Sequence, residues 1–271
     1  MVDFSQLLLD SLREASLLVG GVSGAKVFDR RLLADVNPEA LLNFDQKLGH
    51  LYEDALTVLL DASESVELLA SNLQIINQQK QTLGELDYVL VDKRSEQAIH
   101  LELAVKFYLA VEVEGQWQFP GPDPRDNWQR KLDRMRSHQL RLSQTPEARA
   151  VLKERFGIDS IEVRQLVYGC LFYPMSAVEC PQPEGVAVDC SKGRWLYVSE
   201  WEAAFPGVET VQLIARPRWS VEIIDEVRKG LETVAVGELM QSAQIRCVMF
   251  VFEDSDMRWF LVPDGWRPGA S

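Results

Sequence analysis

Three carboxylates, a histidine and an amine fall at alternating positions of two neighbouring stretches. Glu85 and Asp87 stand in GELDYVLV (84–91), and His100, Glu102 and Lys106 in AIHLELAVKFYLA (98–110). Both stretches read as β-strands, so Glu85, Asp87 and Val89 share one face, and His100, Glu102, Ala104, Lys106 and Tyr108 share a face of the next strand. The opposite face, Leu86, Tyr88 and Leu90 with Leu101, Leu103, Val105, Phe107 and Leu109, is apolar and reads as core.

A tight antiparallel turn near 92–97 permits two registers. One sets Asp87 opposite Glu102, with β-carbons about 5 Å apart, and Glu85 opposite Ala104. The other, slipped by two, sets Asp87 opposite Ala104 and Glu85 opposite Lys106. Like charges face to face destabilise a sheet, so an Asp87/Glu102 pair calls for a cation between them. Magnesium, or manganese in its place, suits oxygen ligands, takes one or two carboxylates and keeps waters that can be activated.

The flanking sequence supplies elements to position these groups. Apolar residues Phe4, Leu7, Leu8, Leu12, Ala15, Leu18 and Val19 recur at helical spacing, ending at GGVSG (20–24). A second helix is expected to open near Asn37-Pro38, with a stripe through Leu41, Phe44, Leu48, Leu51, Ala55 and Val58. Glu53 lies off that stripe beside Gly49, Leu56 and Leu60, on a face that is still partly buried and therefore asks for a partner or a cation. Strands follow at 66–76, 84–91 and 98–110. A helix capped by Asp123-Pro124 carries Trp128, Leu132, Met135, Gln139 and Leu142 on one stripe and Lys131, Arg134, His138 and Arg141 on another. A strand at 161–173 comes next. Beyond Pro174 a Pro/Cys/Glu-rich stretch leads to α+β material: strands at 194–199 and 210–214, helices near Trp201–Phe205 and 220–240, and a hairpin of 245–252 with 258–262. That region either extends the first sheet or forms a second lobe.

The order helix, three strands, helix, strand, with G-E-L-D and a following strand that holds Glu and Lys, resembles the PD-(D/E)XK nuclease superfamily. More narrowly, L-G-H-L-Y-E (48–53), T-L-G-E-L-D (82–87), H-L-E-L-A-V-K-F-Y-L (100–109) and K-L-D-R-M-R-S-H-Q-L (131–140) are similar to an uncharacterised bacterial family placed in that superfamily. The resemblance covers about the first two thirds of the chain. It implies an α/β, restriction-endonuclease-like core at 38–174, preceded by a helical extension (1–37) and followed by an accessory α+β region (175–271). It implies Asp87 as the metal-binding aspartate, Glu102 as the second carboxylate and Glu85 as an auxiliary acid at the metal. Lys106 would be the lysine at the attacked phosphate, and Glu53 the acid of the first helix. Lys131 and Gln139 fall where the superfamily builds its active-site rim.

One departure stands out. The superfamily spaces acid and lysine as E-x-K, about 7 Å along a strand, whereas E-L-A-V-K spans about 13 Å. Ala104 occupies the usual place of the acid. Either the acid has moved to Glu102, or a bulge closes the gap, or the site is degenerate. Lys106 then serves phosphate or merely pairs with Glu85.

Composition bounds the partners. With 271 residues and a net charge of −13, the chain as a whole repels phosphate. Yet residues 125–141 hold six basic side chains, Arg125, Arg130, Lys131, Arg134, Arg136 and Arg141, against Asp126 and Asp133. That local excess points to a phosphate-facing surface on which Lys131, Arg134, His138 and Gln139 are the substrate-binding candidates. Four cysteines without a C-x-x-C pair and three histidines exclude zinc-ligand spacing. The N-terminal stretch carries Asp10, Arg13 and Glu14 within its apolar pattern, so neither a signal peptide nor a membrane span is expected and the protein is placed in the cytoplasm. The expectation is a metal-dependent phosphodiester hydrolase acting on nucleic acid, DNA rather than RNA. The alternative is a degenerate nuclease-fold module that binds nucleic acid or a protein partner. A homo-oligomer is compatible with the sequence, but nothing in it argues for one.

Overall fold

The computed structural model describes residues 2–22, 25–35, 39–178 and 181–267. The chain runs through α1 (Phe4–Glu14), β1 (Lys26–Val27), α2 (Leu48–Asp61), β2 (Val66–Ile76), β3 (Thr82–Asp92), β4 (Gln97–Leu109), a small hairpin β5 (Val111–Val113) and β6 (Gln116–Gln118), α3 (Trp128–Ser137), α4 (Pro146–Phe156) and β7 (Glu162–Pro174). The last third adds β8 (Ser191–Tyr197), α5 (Trp201–Ala204), β9 (Thr210–Ile214), α6 (Asp225–Lys229), β10 (Glu232–Ala235), α7 (Val236–Ala243), β11 (Val248–Val251) and β12 (Trp259–Val262).

These elements build a mixed α/β structure around one large sheet in the order β10-β9-β11-β12-β8-β7-β4-β3-β2, with β1 laid along the first part of β7. The β2-β3-β4 meander is antiparallel, and β7 joins β4 in parallel from Ile99↔Glu162 to Leu109↔Phe172. A parallel return needs a crossover, and α3 and α4 provide it. On one side of the sheet, Leu8, Leu12, Leu51, Tyr52 and Leu56 of α1 and α2 pack with Leu101, Phe107, Tyr168 and Phe172. On the other, Trp128, Leu132 and Met135 of α3 pack with Tyr108, Val167 and Leu171, and Leu152 of α4 packs with Leu73, Ile75 and Leu86. Each helix thus buries its apolar stripe against a sheet covered on both faces, which explains why β4 and β7 read as near-continuous apolar runs.

β8 pairs in parallel with β7 and β12 with β8, so these strands continue the first sheet.

Several helix boundaries differ from expectation. α1 stops at Glu14; Leu18 and Val19 are buried as their spacing implied, but through backbone hydrogen bonds to Val167 O rather than on a helix. Asn37-Pro38, expected to open the second helix, lies outside the described residues. α2 begins only at Leu48, and Leu41, assigned to its stripe, is 97% exposed. α3 is capped by Asn127, whose side chain accepts from Gln129 N, while Asp123 closes a turn onto Arg125 N. It breaks at His138 (φ −131°), so Gln139 and Leu142 fall on a separate 3-10 segment, Gln139–Gln144. α4, capped by Thr145 with Pro146 at its first position, was not anticipated. The helix expected at 220–240 divides into α6, β10 and α7. A β-carbon on Gly230, just after α6, would sit 2.8 Å from the Phe4 ring, so the chain passes α1 closely there before β10 pairs with β9. Among the described residues no helix is long and apolar enough to cross a membrane.

Candidate functional site

The β3–β4 ladder holds from Asp92↔Gln97 to Tyr88↔Leu101. Val89↔His100 fixes the register in which Asp87 is opposed to Glu102, the first of the two considered. Past Tyr88 the pairing stops. Asp87 Oδ2 there accepts the Leu103 N–H at 2.8 Å, so a side chain takes up a backbone donor that the ladder would otherwise use. Alternation along β3 breaks at the same point: Leu86 packs with Val89 and α4, whereas Tyr88 and Leu90 pack on the opposite side with α2. Glu85 is correspondingly exposed beside Gln74 and stands outside the group of contacts around Asp87.

Glu102 is almost fully buried at 4% exposure and is held at both oxygens. Oε1 lies 2.8 Å from His100 Nε2, and Oε2 accepts Gln139 Nε2 at 3.1 Å. Behind Gln139, its Oε1 accepts Lys131 Nζ at 2.8 Å; behind His100, Nδ1 lies 3.1 Å from Ser143 Oγ. The 3-10 segment after α3 therefore grips Glu102 from two sides. Lys106 points into the same region but pairs with Asp126 at 2.9 Å. Asp126 is presented by a loop that closes through Gly121 N to Asp126 O. The amine chained to Glu102 is thus Lys131 from the crossover helix, not Lys106 four residues along the strand.

Electrostatics follow from this crowding. Burial, and then the neighbouring Glu102 carboxylate, push the Asp87 carboxyl up to about 8, against the pull of the Leu103 N–H. Glu53 adds to the rise, which places its charge near Asp87. Burial, and then the Lys106 ammonium, push Lys131 down to about 8, while Glu102 and Asp87 oppose that. Two carboxyls and two amines thus form one electrostatically coupled cluster, in which Asp87 holds its proton more tightly than a free carboxyl does.

The remaining expected residues sit around this centre. Glu53, half-buried on α2, accepts from or pairs with His50 Nδ1 at 3.1 Å, and its backbone carbonyl takes the Tyr88 hydroxyl at 2.7 Å, tying α2 to β3 beside Asp87. Arg134 is exposed and forms no ion pair among the described residues; His138 is exposed, with Nε2 3.6 Å from where a β-carbon on Gly84 would lie. Of the other basic residues, Arg125 is spent on Asp123 and Arg136 on Glu184.

Two residues had not been singled out. Ser143 is fully buried, and Gln165, in register with Glu102, is fully buried with its Oε1 lacking a hydrogen-bond partner among the described residues. Its Nε2 donates to Gly20 O. A lone amide within the apolar run IEVRQLVYGCLFY was the available signal for Gln165; Ser143 offered none. Gly169, in register with Lys106, has φ 141°, and a β-carbon there would lie 1.6 Å from Lys106 O. Only glycine permits the two strands to meet at that level.

Among the described residues no three His, Cys, Asp or Glu side chains stand close enough to hold a metal ion. Asp87 and Glu102 are the two carboxylates that could serve as donors to a cation. That set suits magnesium, which takes one or two carboxylates and completes its shell with water and substrate phosphate, and does not suit a cage made by protein alone.

The model of a family described as a domain of unknown function (DUF1853) matches residues 29–256. The chain belongs to this family. The DUF1853 match spans α2, the whole β2-β3-β4 meander, the crossover helices and the C-terminal strands as far as β11, so the candidate site lies entirely within it. No curated protein and no solved structure matches the chain.

Proposed function

We propose that this protein is a nuclease-like, metal-dependent phosphodiester hydrolase acting on DNA or a related nucleic acid. The observation that carries the reading is the Asp87/Glu102 pair: two carboxyls opposed across the hairpin, one of them pushed up to about 8, at the point where the ladder stops. Perturbed carboxyls opposed in this way are costly to a fold and concentrate at functional sites. The order α2, β2-β3-β4, crossover helices, β7 agrees with the PD-(D/E)XK resemblance, which supports the reading further.

In this scheme Asp87 and Glu102 would hold magnesium or manganese together with the substrate phosphate. The bound ion would supply Lewis-acid charge and lower the pKa of a coordinated water. Lys131, fixed through Gln139, contributes positive charge beside Glu102 for the phosphate, and Lys106 does so once Asp126 releases it. Arg134 and His138 on the outer surface of the crossover offer contacts along the nucleic-acid backbone. The chain's overall negative charge makes that local basic surface necessary.

The test is calorimetric titration of magnesium and manganese into wild type and Asp87→Ala, with cleavage of single-stranded and duplex DNA followed in parallel. Metal binding and cleavage that are both lost with Asp87 support the hydrolase. One observation favours a second reading: Lys106 is paired with Asp126 and Glu102 already has both oxygens occupied, as in a module that binds nucleic acid or a protein without cutting. A wild type that binds DNA but binds no metal and yields no cleaved product would select it.

A further inference from the structure

His100 lies on the site's face of β4, fully buried, between two groups that the proposed chemistry does not require it to touch. One ring nitrogen meets Glu102 Oε1 at 2.8 Å and the other meets Ser143 Oγ at 3.1 Å. Ser143 is itself fully buried, and its hydroxyl has no other hydrogen-bond partner among the described residues.

That constraint orients the whole chain. If Nδ1 carried the proton and donated to Ser143 Oγ, the serine hydrogen would be buried without an acceptor, which costs about 1–3 kcal/mol of desolvation for such a group. If instead the hydroxyl donates to Nδ1, the ring proton sits on Nε2 and donates to Glu102. Every link is then satisfied. On the other side Gln139 must present its amide nitrogen to Glu102, because its oxygen accepts the Lys131 ammonium, which has no lone pair to offer. Donors therefore converge on Glu102 from both flanks, Ser143 through His100 and Lys131 through Gln139.

We infer that His100, backed by Ser143, is a positioning residue of the site that locks the Glu102 carboxylate in one rotamer, so that its remaining lone pairs face Asp87. Resting on the reading of Asp87 and Glu102 as a cation-binding pair, this assigns to a buried histidine the work that outer-shell partners do for metal-binding groups elsewhere. Among the described residues Asp87 has no hydrogen-bond support beyond the Leu103 N–H, so the two carboxylates are held unequally.

The experiment uses the full chain labelled with 15N-histidine and 13C-glutamate, in wild type, Ser143→Ala, His100→Gln and His100→Phe. In wild type the ring 15N shifts should report protonated Nε2 and unprotonated Nδ1, and Ser143→Ala should move the Nδ1 resonance, which loses its donor, while Glu102 keeps the proton on Nε2. The Glu102 carboxyl 13C signal should move in His100→Phe and return towards wild type in His100→Gln, whose amide can still donate. Magnesium affinity by calorimetry should fall about 10–100-fold in His100→Phe, with partial recovery in His100→Gln. A ring proton on Nδ1, an unmoved Glu102 signal, or unchanged magnesium affinity in His100→Phe would overturn the inference. If wild type binds no magnesium, the hydrolase reading falls, while the ring and carboxyl signals still decide whether His100 holds Glu102. Should His100→Phe fail to fold, Ser143→Ala and His100→Gln carry the decision.

Discussion

Replacing Asp87 with asparagine should make the protein more stable while removing its proposed activity. Asparagine keeps the oxygen that accepts the Leu103 N–H, so the loss is confined to charge and titration. In the unfolded chain an aspartate titrates near 3.9, and in the folded protein Asp87 is pushed up to about 8. The folded state thus binds the proton more tightly, and the aspartate's contribution is most favourable below pH 4, then is lost progressively as pH rises to 8. At pH 7 about three units separate the unfolded pKa from the solution pH. At 1.36 kcal/mol per unit that amounts to about 4 kcal/mol, an upper bound because Glu102 shares the repulsion. Urea unfolding of wild type and Asp87→Asn, run from pH 4 to 9, should show equal stabilities at the acid end and a gap that widens in favour of the variant up to pH 8. Saturating magnesium should narrow the gap, since only wild type retains the site. Parallel curves across pH 4–8, or a variant less stable than wild type at pH 8, would refute the account of Asp87 as a carboxylate held in an unfavourable place.

Glu102→Gln should lower the Asp87 pKa, because the second-largest cause of its elevation is removed; the carboxyl 13C titration of Asp87 reads this directly. Gly169→Ala should destabilise by more than about 4 kcal/mol, since it combines a left-handed φ with a β-carbon 1.6 Å from Lys106 O, and a lowered denaturant midpoint is the measure. Arg134→Gln should weaken DNA binding similarly across sequences and reduce the slope of log affinity against log salt by about 1, leaving the fold unchanged; an unaltered slope would remove Arg134 from the binding surface.

Much of the centre was readable from residue order. β2 at 66–76 and β9 at 210–214 agree with their expected bounds, because alternating apolar runs bounded by turn residues leave little choice. The Asp87–Glu102 register was one of two that the short connection at 92–97 permits, and the Val89↔His100 pairing selects it. Less readable was everything that depends on how separate elements meet. The heptad-like stripe through Gln139 and Leu142 hid a helix break at His138, since an apolar residue on a 3-10 segment keeps nearly the same spacing as on a helix. That break is what turns Gln139 and Ser143 towards Glu102. The amine at the centre was sought four residues along the strand, whereas tertiary packing brings Lys131 in from the crossover. Glu85 followed Asp87 by parity alone, and parity fails where β3 loses its alternation.

The edge of β7 that faces away from β4 is tiled by two pieces from opposite ends of the chain: β1 along its first part and β8 along its last. α1 is in turn held by the last third, with Arg218 stacked 3.6 Å from the Phe4 ring centroid and Glu222 N donating to Ser11 Oγ. The polypeptide therefore closes on itself like a clasp. During synthesis, a nascent chain that has just released β7 already holds its β4 and β1 partners, whereas Cys170–Pro174 still lacks β8 and α1 still lacks its contacts with Arg218 and Glu222. At about 5–20 residues per second, those partners follow within seconds to tens of seconds. The sheet that carries Asp87 and Glu102 is therefore completed only when the last third arrives, and a chain cut short after Pro174 would leave the end of β7 as an open edge.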